Sequence, residues 1–105
     1  MRGEPVGWLL LTLKGELSLY EIERLKGTLL ENDLAAHRTV IVDLADVRFI
    51  DSAGLEFLVL LHRTLRETGG QVRIVCPGLN LRKVFLITQL DRELEIHTSL
   101  EHALW

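Results

Sequence analysis

The chain has a single cysteine, Cys76, so no internal disulfide can form, and a reducing cytoplasm is the expected setting. One thiol and scattered histidines also give no paired spacing for a metal site, and no cofactor is expected. Positive charge is not in surplus: 12 Lys and Arg face 15 Asp and Glu, a net charge of -3, so nothing argues for wrapping nucleic acid. No apolar run approaches the ~20 residues that cross a bilayer; the longest, "FLVLL", reads as part of a helix, and no membrane insertion is expected. The opening "MRGEPVG" carries one basic residue ahead of Glu4 and Pro5 and does not read as a secretory signal. Internal repeats, low-complexity segments and linkers are lacking too.

What remains is ordinary for a folded domain: 48% hydrophobic and 26% charged residues in 105 positions, read as one domain over 1–105. "GWLLLTLKGEL" predicts a strand over 8–13, apolar at nearly every residue as a strand covered on both faces would be. "SLYE" is a capping box, and Leu19, Ile22, Leu25 and Leu29 recur behind it at helical spacing until Asn32 and Asp33 close the helix. "TVIVDL" predicts a second strand over 39–44, and a turn leads into a helix that starts at Ser52 and stops at Gly69 and Gly70. "QVRIVC" is a third, buried strand, ended by Cys76. Asn80 is placed to cap a helix whose inner face carries Leu81, Val84 and Phe85, and the Arg82–Lys83 pair reads as its solvated side. "LEIH" is a short fourth strand, and "TSLE" offers a second capping box, from Thr98, for a last helix. Strands alternating with helices predict an α/β fold with a largely parallel sheet of four or five strands.

"TVIVDLADVRFIDSAGL" poses the functional question. Ser52 could cap the helix, act as a nucleophile or carry a modification. As a cap it needs no further explanation. Two details stand apart from that reading: the residue three places on is Leu55 rather than Glu or Gln, and Gly54 costs about 1 kcal/mol in a first turn unless the backbone must approach something closely. On a helical wheel Gly54, Leu58, Leu61 and Leu65 share one side with Phe57 at its edge, while Glu56, Arg63 and Glu67 lie opposite. Val59 and Leu60 flank the charged side, as packing or as a docking patch. A phosphoryl group on Ser52 would add roughly -1.5 to -2 charges at the positive end of the helix dipole. Asp51 and Glu56 would deepen the negative patch against a partner fitted to a hydroxyl.

These residues resemble a known family. "VIVDLADVRFIDSAGL", then a helix, "GGQVRIV" and "LRKVFLITQLDRELEIHTSLEHAL", look like a STAS domain, specifically a stand-alone anti-sigma factor antagonist, over most of the chain; "IDSAGL" is the most specific part, supported by "KGEL". The resemblance implies a mixed, largely parallel sheet with helices packed mainly on one face. It implies that Ser52 is phosphorylated by a serine kinase that doubles as the anti-sigma factor, and dephosphorylated by a cognate serine phosphatase. Ser18, Asp51, Ala53, Gly54, Leu55, Glu56, Val59 and Leu60 would form the surrounding loop and partner surface. Two positions depart from the family pattern: Ser18 stands where phosphorylated members are acidic, and Glu56 where several carry glycine. A STAS subunit that docks on a lipid-transport ATPase, without a phosphorylation cycle, and a stressosome-type scaffold subunit are alternatives with the same fold.

An enzyme is not expected. A nucleophile elbow needs glycine two places before the serine, where Ile50 stands. His37, His62, His97 and His102 have no spacing that nominates a base, and each is expected at the surface or at a strand end. "ETGGQ" lacks the lysine and the context of a phosphate-binding loop and reads as a helix stop.

Overall fold

A computed structural model describes residues 8–31 and 39–104. In chain order these form β1 (Trp8–Leu17), α1 (Leu19–Glu31), β2 (Thr39–Ile50), α2 (Ser52–Arg66), β3 (Gln71–Val75), α3 (Leu79–Ile87), a 3-10 turn (Leu90–Arg92), β4 (Glu95–His97) and α4 (Leu100–Leu104). The sheet order is β1-β2-β3-β4 and every described pair is parallel. The fifth strand that the sequence allows would have to precede Trp8, and it and the helix stop expected at Asn32 and Asp33 fall outside the described residues.

Consecutive parallel strands need crossovers, and right-handed crossovers along a sheet built in sequence order all fall on one face. The main core follows from that. Val40, Val42 and Leu44 of β2 and Val72 and Ile74 of β3 meet Ile22 of α1, Leu58, Leu61 and Leu65 of α2, and Phe85 of α3. The alternating residues Ile41 and Val75 point to the other face, where α4 covers them with Ala103. Arg73 ties that helix to the sheet by donating from Nη1 to the Ala103 carbonyl at 2.6 Å.

Several local expectations shift. The first strand does not stop at 13 but runs to Leu17, through register irregularities between Thr12 and Lys14 and between Gly15 and Glu16, with Gly15 at φ +79°. Nor is it covered on both faces, since Trp8 and Leu10 are 55% and 49% exposed, and the bulges disrupt its regular pairing beyond Thr12. The second likewise continues past 44 to Ile50. Leu19 is 60% exposed rather than on the inner face of α1. The Ile22 amide donates to the Ser18 carbonyl at 2.9 Å, as behind an N-cap residue, and Leu29 falls where side chains are not described. Gly78, not Asn80, is the N-cap of α3. Ser99, not Thr98, caps α4, its Oγ accepting from the His102 amide at 3.2 Å. Arg82 is half-buried rather than solvated.

His62 is the largest departure from a surface role. It is 7% exposed, and its Nδ1 accepts a hydrogen bond from the Val72 amide at 3.3 Å. Its position one turn after Leu58 places it on the inner face of α2. Burial, reinforced by the Arg66 charge and opposed by Glu93 and Glu95, lowers its pKa below the ordinary 6.5. Above 6.5 the imidazole is neutral in both folded and unfolded chains, and the buried contact is fully available. As the pH falls below that value the unfolded chain takes up a proton that the folded chain resists, so stability declines. Denaturant midpoints measured through this range should fall with acidification more steeply for the native chain than for His62→Gln. Parallel profiles would remove His62 as the cause.

Candidate functional site: the start of α2

Leu17 and Ile50 are partners in the parallel β1–β2 register, so the two strands end side by side and α1 and α2 start from the same edge of the sheet. The Asp51 amide donates across this junction to the Leu17 carbonyl at 3.3 Å. Gly54 faces the same carbonyl from within α2. A Cβ on Gly54 would run into the Leu17 oxygen and come within 2.7 Å of Ile50 Cγ1. The glycine predicted to allow a close approach does so, against the strand ends. Ser18 follows Leu17 directly and belongs to this junction.

The cap is Asp51, not Ser52. Asp51 is extended (φ -101°, ψ -176°), and its Oδ1 accepts from the Gly54 amide at 2.9 Å. The Asp51 carbonyl takes the first helical bond, from Leu55, at 3.0 Å. Ser52 is therefore the first helical residue, exposed, with a hydroxyl that the cap does not require. Aspartate precedes serine in sequence and both cap well, so pattern alone does not separate them. Among the described residues, the amides of Ser52 and Ala53 are the two helix-start donors that neither the Leu17 carbonyl nor the Asp51 carboxylate takes up. An anion on the Ser52 oxygen would lie beside them and at the positive end of the dipole.

Ala53 and Leu55 are half-buried, and Leu55 packs on the core; Glu56 is exposed on the outer face. The flanking pair divides: Val59 is half-buried against the core, whereas Leu60 is 48% exposed. Beyond Ser18, Leu19 and Tyr20 (71% exposed) add apolar surface at the start of α1 that no motif in the sequence marks. His62 lies ten residues further along α2, about 15 Å along the helix axis, and cannot act as a base on Ser52. Among the described residues no cluster of His, Cys, Asp or Glu could hold a metal ion, and no helix is long and apolar enough to cross a membrane.

The sequence profile of the STAS domain matches residues 3–103. The chain belongs to the STAS domain family. A Thermotoga neapolitana protein named as an anti-sigma factor antagonist (a TM1081 homolog) is 31% identical over 68 residues, 65% of this chain and 60% of the relative's length. The alignment thus spans only about three fifths of that relative. BtrV of Bordetella bronchiseptica, named likewise, is 29% identical over 97 residues, 92% of this chain and 84% of BtrV. Among solved structures, the unphosphorylated Bacillus anti-sigma factor antagonist SpoIIAA superposes with a TM-score of 0.75 at 23% identity, covering 99% of this chain and 89% of SpoIIAA. SpoIIAA has also been solved in a phosphorylated form. At that identity the superposition establishes the STAS fold, including its parallel sheet with helices mainly on one face.

Proposed function

We propose that this STAS domain is a non-enzymatic anti-sigma factor antagonist switched at Ser52. With a free hydroxyl it binds a serine-kinase anti-sigma factor and releases a sigma factor. The kinase transfers the γ-phosphoryl group of ATP to the Ser52 oxygen: an O–P bond forms, the bond to ADP breaks, and the hydroxyl proton leaves. The dianion ends binding until a cognate serine phosphatase hydrolyses the ester with water. The observation that carries this reading is an exposed serine at the first position of α2 whose capping duty belongs to Asp51. The names of the relatives support the same reading.

Incubation with ATP and an anti-sigma kinase from the same cell should add one phosphate, located on Ser52 by mass spectrometry. Ser52→Ala should take up none, unfold at the native temperature and still bind the kinase. A chain that stays unphosphorylated, and binds a transport ATPase in place of the kinase, would replace the switch with the docking-subunit alternative.

The partner surface is proposed to include Glu56 and Leu60 of α2 and the Leu19–Tyr20 pair. Leu60→Glu should weaken kinase binding by at least about 1 kcal/mol, the scale of an interface anchor, with thermal stability retained because the side chain is already half exposed. Unchanged affinity in a calorimetric titration would remove Leu60 from the interface.

A further inference from the structure

A concave surface elsewhere on the domain shares no residue with the Ser52 junction. It is a groove of about 330 Å³ between α3, the 3-10 turn and β4. Its apolar lining is Leu79, Phe85, Leu86 and Ile96. Phe85 is buried, whereas Leu79 and Leu86 are 58% and 57% exposed, an unusual density of uncovered aliphatic surface for a nine-residue helix. The polar lining is Arg82, Asp91 and Thr98.

Arg82 is the informative member. Its Nε is buried without a hydrogen-bond acceptor, and among the described residues its guanidinium forms no ion pair, although Asp91 lines the same groove. Cys76 does not offset the charge: burial raises its thiol to about 11 despite the pull of Arg82, so it stays neutral. A half-buried cation without a counter-ion, bordered by hydrocarbon, is complementary to a single negative charge on an apolar tail. The exposed Asp91 carboxylate disfavours a ligand with two negative charges, such as a phosphate monoester, and the Thr98 hydroxyl can donate to an oxygen anion.

We propose that this groove binds a monocarboxylate amphiphile, its carboxylate paired with Arg82 and its hydrocarbon tail lying along Leu79, Phe85, Leu86 and Ile96. The site is independent of the Ser52 switch.

Decanoate titrated into the full chain is the direct probe, followed by amide and methyl NMR. Saturable shifts are expected at Leu79, Arg82, Phe85, Leu86, Ile96 and Thr98, with Ser52 and Leu60 unmoved. Arg82→Gln should weaken decanoate by about tenfold or more, and decanol and decyl phosphate should both bind less tightly than decanoate. Because Arg82 is partly buried, Leu86→Asp on the exposed rim provides a second variant, and it should weaken binding as well. The proposal is overturned by absence of saturation, by unchanged affinity in a folded Arg82→Gln chain or in Leu86→Asp, or by decanol or decyl phosphate binding as tightly as decanoate. Shifts spread over every exposed aliphatic residue would also overturn it, since they indicate detergent-like adsorption.

Discussion

A Ser52→Asp chain should fold as the native chain does and bind the proposed anti-sigma kinase about a hundredfold less tightly, a loss near 2.7 kcal/mol. The fold tolerates the charge because the new carboxylate enters at the positive end of α2, beside the Ser52 and Ala53 amides; such an interaction is stabilising by a few tenths to 1 kcal/mol. The proposed partner should not tolerate it. A surface complementary to a hydroxyl beside Asp51 and Glu56 would have to bury or face another anion, and an uncompensated charge at an interface is costly. Ser52→Asn is the matched control, nearly the same shape without the charge, and should bind within a few-fold of the native chain. Calorimetry or surface-based kinetics on the three chains would decide. Equal affinities for the Asp and native chains would refute an electrostatic switch, and equal losses for Asp and Asn would show that shape alone matters.

Gly54→Ala should destabilise the fold by about 2 kcal/mol even though alanine is the better helix former. The propensity gain is at most about 1 kcal/mol, while a methyl group forced into a packed junction costs about 1–3 kcal/mol, occasionally more. Here the first atom met is a backbone oxygen, that of Leu17, which cannot rotate away, and the second is Ile50 Cγ1 at 2.7 Å. Relief therefore requires α2 to lift from the ends of β1 and β2, which also stretches the 3.3 Å bond from the Asp51 amide to Leu17. For a domain of this size the loss corresponds to a fall in Tm of roughly 10 °C. Adding Ile50→Ala should not restore stability, because the obstructing carbonyl remains. A Gly54→Ala chain as stable as the native one in chemical denaturation would show that the junction is looser than drawn, and that Gly54 is not what sets the height of Ser52 above the sheet.

Both outcomes depend on a junction that was only half visible in the amino-acid order. Apolar strands and helix faces were readable because they depend on neighbours within a turn or a pleat: the "QVRIVC" strand, the Leu58–Leu61–Leu65 face and the Gly69 stop, which adopts φ +85°, all follow local rules. The cap residues of α2, α3 and α4 were not readable in this way. Gly54 was readable as a close approach to the sheet, though not the Leu17 carbonyl and Ile50 side chain that it meets there. The extension of β1 through its bulges was obscured because an irregular strand loses its period. Which of two adjacent cap-forming residues takes the cap depends on a rotation set by the Leu17–Asp51 bond, and that partner lies 34 positions away in the chain.

The burial of His62 and the groove beside Arg82 belong to the same class. Histidine is found in either setting and arginine can bury its stem, and how far each is covered depends on where the β3 and β4 strands bring other segments against it. Local chemistry was enough for the element types and the parallel character of the sheet, while Ser52 was singled out as an acceptor by the family resemblance. Long-range packing settled which atom caps α2, which aliphatic side chains stay uncovered and which cation lacks a counter-ion, because each is a relation between residues far apart in the chain that no short-range preference encodes.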